Sequence, residues 1–405
     1  MTFEVRSIKD SELDAFNHNV RTVFAAGPGM NVQMPLEWTL CGFEEGRLVT
    51  SYAFWPLTLL LNGAPVPIAG VTMVGTYPLF RRRGNLRKIT TRHFRMMHEQ
   101  GDRHIAALFA SRTAIYQRYG YGVVSGKCDY AIDPRDIQLI YCPSGTGVLK
   151  EAAEADNDVL LDLYHRFSAG RNGYLRREGD YFKIFGSPYA IYMPPETAAK
   201  LVKVIYYEEG KPAGYVVYGV EQDTRPGITF QGHLLHISDM AWLTPTAYHG
   251  IWSYLSRFDL VNRVTFGKVP PDDPLVHLLL EPKRLEVTVP SAGLLARIVD
   301  VEKALPLRPY AAEGDLVFEV IDELCPWNNG VWEMEAGTGG SYIGRTTKEP
   351  QVTMPVSTLA MLVFGRISTS EAARMGRLEV KSVKALTLWD RVMKTEYEPF
   401  CADSF

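Results

Sequence analysis

The sequence predicts an α/β chain that gives way to α+β character in its last third. Three observations carry this. Apolar strand-like runs alternate with amphipathic stretches through the first part of the chain. A long strand leading through a proline turn into a helix occurs twice. From about residue 290, short strand-like runs precede helical stretches. At 405 residues the chain exceeds one ordinary core, so two or three domains are expected.

The elements read in order. Residues 3–8 form a strand, and Asp10 or Ser11 caps a helix running through Leu13 and Phe16. Two apolar runs, 48–55 and 57–61, lead to the turn signal Asn62-Gly63 and a strand over 66–76. Residues 85–99 place Leu86, Ile89, His93 and Met97 on one helix face, closed by Gly101, and 104–110 is a buried strand. A second unit begins near Tyr130. It holds a helix with Val159, Leu160, Leu163 and Phe167, a hairpin over 202–220, and a strand over 233–242. Thr244 and Pro245 then start a helix running through Ile251, Tyr254, Leu255 and Phe258. In the last third, strands over 316–320, 330–335 and 351–354 precede helices over 356–363 and 385–393.

Composition narrows the function. Hydrophobic residues make up 46% and charged residues 22%, which fits a folded globular chain. With 43 basic and 46 acidic residues the net charge is −3, so neither nucleic acid nor an anionic membrane is an expected partner. The first residues lack a basic segment followed by an apolar one, and no apolar run approaches the ~18 residues of a membrane span. Cys41, Cys128, Cys142, Cys325 and Cys401 are scattered and odd in number, as in a reduced cytoplasmic protein.

The most informative stretch is 71–87, where a strand ends, Arg81, Arg82, Arg83 and Gly84 follow, and a helix starts at once. A helix start offers unpaired N–H groups and partial positive charge, and a glycine lets a pyrophosphate approach the backbone. The corresponding turn in the second unit, 243–247, lacks both the charge and the glycine, which marks it as a degenerate structural copy.

Arg81-x-x-Gly84-x-Leu86 resembles the acetyl-CoA motif (Q/R)-x-x-G-x-(G/A) of the GNAT superfamily. Leu86 stands where a small residue is usual, a departure typical of the Eis-type (enhanced intracellular survival) N-acetyltransferases. The stretch 110–122 around Tyr116-Gln117-Arg118-Tyr119, the stretches 271–279 and 292–301, and the terminal Phe405 are similar to that branch too. The resemblance spans essentially the whole chain. It implies tandem GNAT-like domains, catalytic over 1–129 and degenerate over 130–289, followed by a sterol-carrier-protein-like domain over 290–405. It implies acetyl-CoA held by Val74, Gly75 and Thr76 on the strand, by Arg82, Arg83, Gly84, Asn85, Leu86 and Arg87 at the turn, and by Ser111 and Arg112 after the next strand. Tyr116 matches the family's general acid, and the terminal carboxylate of Phe405 its general base. The resemblance places Trp38, Met73 and Ser404 at the amine pocket, with a core packing role the equal alternative for Trp38. The resemblance implies a homo-oligomer, a hexamer by analogy, and no metal.

The chemistry suits these residue types. An alkylammonium of pKa ~10.4 must lose its proton before it attacks. A strand N–H such as that of Val74 can meet the developing oxyanion, and a phenol can protonate the departing thiolate. An α-carboxyl titrates near ~3.5, so burial is needed to give it useful basicity. The expected substrate is a primary amine of a polycationic molecule or of a protein. Met73 replaces an aromatic and Ser404 an acid of the mycobacterial-type enzymes, which argues against multi-site aminoglycoside acetylation.

Other features read as structural. His233 and His236, three apart on a strand, point to opposite faces, so with Asp239 they do not make a metal cluster. His93 is a packing residue, and 327–330 a turn. Two other classes fit parts of the chain: a lipid or small-ligand binder using the last segment, and an acyl-CoA sensor without turnover.

Overall fold

A computed structural model describes residues 2–27, 32–141, 143, 147–189, 195–198, 200–224, 232–288 and 291–405. Cys142 and residues 289–290, at the expected start of the last domain, lie outside the described residues. The chain divides into two compact units. One comprises Met1–Ser125, Ala292–Pro399 and Phe405, the other Gly126–Ser291 and Phe400–Ser404.

The first unit is built on β1 (Phe3–Arg6), α1 (Leu13–Phe24), β2 (Cys41–Glu44), β3 (Arg47–Leu61), β4 (Ala64–Thr76), α2 (Asn85–Gln100), β5 (Ile105–Phe109), α3 (Thr113–Gln117) and β6 (Gly122–Val123). Its sheet runs β1-β2-β3-β4-β5, then the strand Leu294–Ile298, then β6. Residues 294–298 thus complete the first sheet. The expected runs 48–55 and 57–61 are one strand, because Pro56 pairs opposite Ala69 without ending β3. Asn62 and Gly63 both take positive φ, 51° and 87°, as a tight hairpin turn requires. Neither Asp10 nor Ser11 caps the first helix. The Glu12 carboxylate instead accepts from the Lys9 N–H at 2.9 Å, and Asp10–Glu12 forms a 3-10 turn ahead of α1.

α2 buries Ile89, His93, Phe94 and Met97 against the sheet and ends at Gly101 with φ 70°. His93 is fully enclosed, with its Nδ1 2.8 Å from the Tyr52 hydroxyl. The remainder of this unit includes a second sheet in the order Tyr342–Arg345, Gly330–Ala336, Gly314–Ile321, Val352–Pro355, Glu379–Val380. The helix Val356–Val363 packs on its Val352–Pro355 strand, and Trp389 of Val383–Met393 is fully buried. Residues 327–330 form the expected turn: Asn328 Oδ1 accepts from Val301 N–H, and the Trp327 indole N–H donates to Val299 O.

The second unit contains β7 (Gly126–Ile132), β8 (Gly147–Glu151), α4 (Asn157–Ser168), β9 (Val202–Glu208), β10 (Lys211–Gln222), β11 (His233–Trp242), α5 (Pro245–Leu255) and β12 (Val261–Val269). The main path of its sheet is Glu286–Val287, β7, β12, β11, β10, β9, β8. Thr244 caps α5, its Oγ1 accepting from Ala247 N–H at 3.1 Å, with Pro245 as the first helical residue. The helix stops at Leu255 and does not reach Phe258. His236 binds the Glu221 carboxylate and the Thr265 hydroxyl at 2.9 and 2.6 Å, a structural role. Cys41, Cys128, Cys325 and Cys401 are free and buried. Among the described residues no helix is long and apolar enough to cross a membrane.

Candidate active site

The site of the first unit begins with a mismatch between two strands. β3 pairs Ser51 with Gly75 and Ala53 with Thr72, so Met73 and Val74 on β4 face the single residue Tyr52. This is a β-bulge, and Met73 carries its positive φ of 52°. β4 also pairs in parallel with β5, but only from Ile68/Ile105 to Gly70/Ala107. Beyond Gly70 the two strands no longer pair with each other, although β4 runs on to Thr76 and β5 to Phe109. The backbone of Val74 therefore lies where ladder bonding is interrupted on one side and absent on the other. A linear amide chain can pair with such a strand.

Thr76 and Gly75 are fixed differently. Thr76 Oγ1 lies 3.1 Å from Thr50 Oγ1, and Gly75 O accepts from the buried Asn19 side chain at 2.8 Å. A Cβ on Gly75 would stand 2.7 Å from Val23 of α1, so this glycine serves close helix packing.

The turn after β4 has the expected form. Gly84 adopts φ 74° directly before α2, and a Cβ there would meet nothing within 4 Å, so the helix start is open. Arg82 also has positive φ, 64°, and its exposed side chain makes no hydrogen bond or ion pair among the described residues. Arg83 is engaged with the Glu44 carboxylate at 3.1 Å and with Leu79 O at 3.1 Å. Arg81 Nε donates to Thr76 O, and Arg87 lies 3.7 Å from Glu323 with both side chains exposed. Asn85 is buried, and Leu86 packs partly into the core. The cradle fits a pyrophosphate. Among the described residues Arg82 makes no ion pair, while Arg83 pairs with Glu44, which the sequence did not reveal.

Ser111 and Arg112 are exposed at the start of α3, the short helix that carries Tyr116. Tyr116 packs edge-on against Tyr121, with ring centroids 5.9 Å apart. Burial, with a smaller push from the Tyr119 phenol, raises its pKa to about 12, so its hydroxyl stays protonated. The loop that follows is held by a residue the motifs did not single out. Arg297, on the strand Leu294–Ile298, donates to Tyr119 O at 2.6 Å and to both oxygens of Asp322 at 2.7 Å. Its Nη1 lies where a Cβ of Gly120 would be, so that glycine is obligatory. A buried arginine on a central strand was the available signal, since such a charge needs a partner.

Phe405 lies at the point of strand divergence. Its ring meets Phe109 edge-on, with centroids 5.3 Å apart. It also approaches Gly70 so closely that a Cβ there would be 3.0 Å from its Cδ2. Gly70 was not anticipated, although glycine inside a strand signals a close approach. Trp38 sits on a 3-10 turn, edge-on to Trp55 at 5.8 Å. Ser404 is buried in the second unit, where Lys268 Nζ donates to its hydroxyl.

Three family models match consecutive parts of the chain. Residues 4–124 and 154–298 each match an acetyltransferase (GNAT) domain, and 301–402 match a sterol carrier protein domain. An uncharacterized N-acetyltransferase of Streptomyces avermitilis is 30% identical over 362 residues, 88% of this chain and 86% of that protein. N-acetyltransferase Eis of Mycobacterium tuberculosis is 26% identical over 368 residues, 88% of this chain and 85% of that protein. The crystal structure of Eis1 from Mycobacterium abscessus superposes with a TM-score of 0.82 at 25% identity, covering 99% of this chain and all of that one. The chain belongs to the Eis-type GNAT N-acetyltransferases. It is an N-acetyltransferase with two GNAT domains followed by a sterol carrier protein domain, and membership in the family implies acetyl-CoA as acyl donor.

Proposed function

We propose that this enzyme moves the acetyl group of acetyl-CoA onto a primary amine of a polycationic substrate, an aminoglycoside-like molecule or a lysine side chain. In this reading Tyr116 is the general acid and the carboxylate of Phe405 the general base. When bound, acetyl-CoA supplies the activated acyl carbon. The chain's own groups do the rest. Val74, Gly75, Thr76 and the open helix start at Gly84 bind and orient the donor, with Arg82 as the principal counter-charge and Arg83, Asn85, Leu86, Arg87, Ser111 and Arg112 around it. The Val74 N–H stabilises developing negative charge. The Phe405 carboxylate takes a proton from the substrate ammonium, freeing the neutral amine to attack, and the Tyr116 hydroxyl supplies one to the leaving sulfur. Trp38 and Met73 shape the amine side. The division at 129/130 and 289/290, a cytoplasmic location and a hexameric assembly belong to the same proposal.

The observation that carries this reading is the Phe405 ring, seated against Gly70 and Phe109 where β4 and β5 part. A carrier or sensor role gives that placement no purpose. The test compares the wild type with Tyr116→Phe and with a chain lacking Phe405. Free thiol release and the mass gain of an amine panel are followed. Each change is expected to lower kcat by ~10²–10⁴. Undiminished turnover in both would overturn the assignment.

A further inference from the structure

The second unit repeats the strand geometry of the first. β11 pairs in parallel with β12 from His233/Val261 to Ile237/Phe266, and beyond that point the two strands no longer pair with each other, running on to Trp242 and Val269. A bulge interrupts β11 against β10, where Val217 pairs with Asp239 and Tyr218 with Ile237, leaving Ser238 over. The turn of this copy, 243–247, lacks arginines and a glycine. Its cleft, however, is filled, and the filler is the chain's own residues 400–404.

The tail is held along its length. Phe400 N–H donates to Asn172 O at 2.9 Å, and its ring packs edge-on against Tyr174. Gly173, at φ 90°, lets the tail backbone come so close that a Cβ would stand 2.7 Å from Phe400 O. The Asp403 carboxylate, wholly buried, accepts from Arg177 Nε at 3.0 Å, Tyr181 at 2.6 Å and Tyr164 at 3.1 Å. Arg177 is itself buried and braced by Asp239, on β11 beyond its pairing with β12, 2.5 Å away. Asp239 also accepts from the Tyr215 hydroxyl at 2.8 Å. Lys268, on β12 beyond its pairing with β11, donates to Asp403 O and to the Ser404 hydroxyl. Between the tail and the cleft wall a cavity of about 40 Å³ remains, space for a few waters.

We propose that this cleft is a receptor for an extended peptide of the form Phe-x-x-Asp, its occupant being the C-terminal tail, and that Asp403 is a positioning residue for the terminal carboxylate. The interactions are those of peptide recognition: a backbone bond, an aromatic anchor, and a carboxylate met by a guanidinium and two phenols. Two buried charges are costly unless paired, so the Arg177–Asp239 pair with its third partner marks a designed socket. Asp403 stands two residues before the chain end, and each residue spans at most ~3.6 Å, so the anchor leaves the terminal carboxylate only ~7 Å of reach. The catalytic consequence rests on the reading of Phe405 as base; the receptor itself does not.

The experiment uses the full-length chain as wild type, Asp403→Asn and Tyr181→Phe, together with the chain lacking Phe405. Carboxypeptidase release of the last residue reports the anchor, and kcat with the KM for acetyl-CoA reports its consequence. Asp403→Asn is expected to speed release by at least ~10-fold, since a charge-assisted bond is lost, with Tyr181→Phe in between. In both variants kcat per folded molecule, with the folded fraction fixed by a melting curve, falls while KM for acetyl-CoA stays the same. Tyr181→Phe removes one hydroxyl and keeps the fold testable if Asp403→Asn does not fold. Release at the wild-type rate in both variants overturns the receptor. Faster release combined with full activity of the chain lacking Phe405 upholds the receptor and overturns the base assignment instead.

Discussion

Replacing Gly70 with alanine tests the placement of Phe405 without touching either proposed catalytic group. The new methyl carbon would lie 2.7 Å from Leu57 Cδ1, and 3.0 and 3.2 Å from Cδ2 and Cε2 of Phe405. Carbon contacts settle at ~3.5–4.0 Å, so the phenyl ring must retreat by roughly 0.5 Å or more. Gly70 is absent from the positive-φ positions, so alanine strains no backbone and the effect is steric. Overpacking of this kind costs ~1–3 kcal/mol of stability. Displacing a reacting group by about 1 Å can cost ~10²-fold in rate. Gly70→Ala is therefore expected to lower kcat by ~10–100-fold, with little change in KM for acetyl-CoA and a modest fall in melting temperature. Thiol release under saturating donor measures the first, and a melting curve the last. A folded Gly70→Ala enzyme with the wild-type kcat would refute the link between the ring's seat and catalysis.

Other expectations follow from the same structure. Arg82→Ala should raise KM for acetyl-CoA by ~10-fold, the worth of a charge-assisted bond. Arg83→Ala should change it less, because that guanidinium already serves Glu44. Burial lowers the His93 pKa to about 3, with a smaller contribution from Arg103. The unfolded chain binds this proton near ~6.5 and the folded chain does not, so stability present above that pH is lost as pH falls towards 3. Urea unfolding between pH 7 and 4 should show the slope, and His93→Gln should flatten it. Asp322→Ala leaves Arg297 buried without its carboxylate, which should cost ~3–5 kcal/mol by denaturant unfolding and loosen the loop after Tyr116.

Much of the molecule was legible in the residues. Helix α2 followed from the spacing of Ile89, His93 and Met97, its end from Gly101, and the start of α5 from Thr244-Pro245, because these signals act within one turn of chain. The break expected between residues 55 and 57 failed because pairing across the hairpin overrides one proline. Phe258 was read into α5 although the helix stops at Leu255, since periodicity sets a face better than an end.

The sequence alone determined the local chemistry: a glycine-bearing helix start after a strand, a tyrosine past the next strand, and an aromatic last residue. Only the tertiary structure decided what each group is free to do. Arg83 is bound to Glu44, Arg82 is not, Gly70 yields to the Phe405 ring, and Asp403 is buried with Arg177 and Asp239. These contacts join residues tens to hundreds of positions apart, and pairing at that range depends on strand register and packing, which no local pattern encodes.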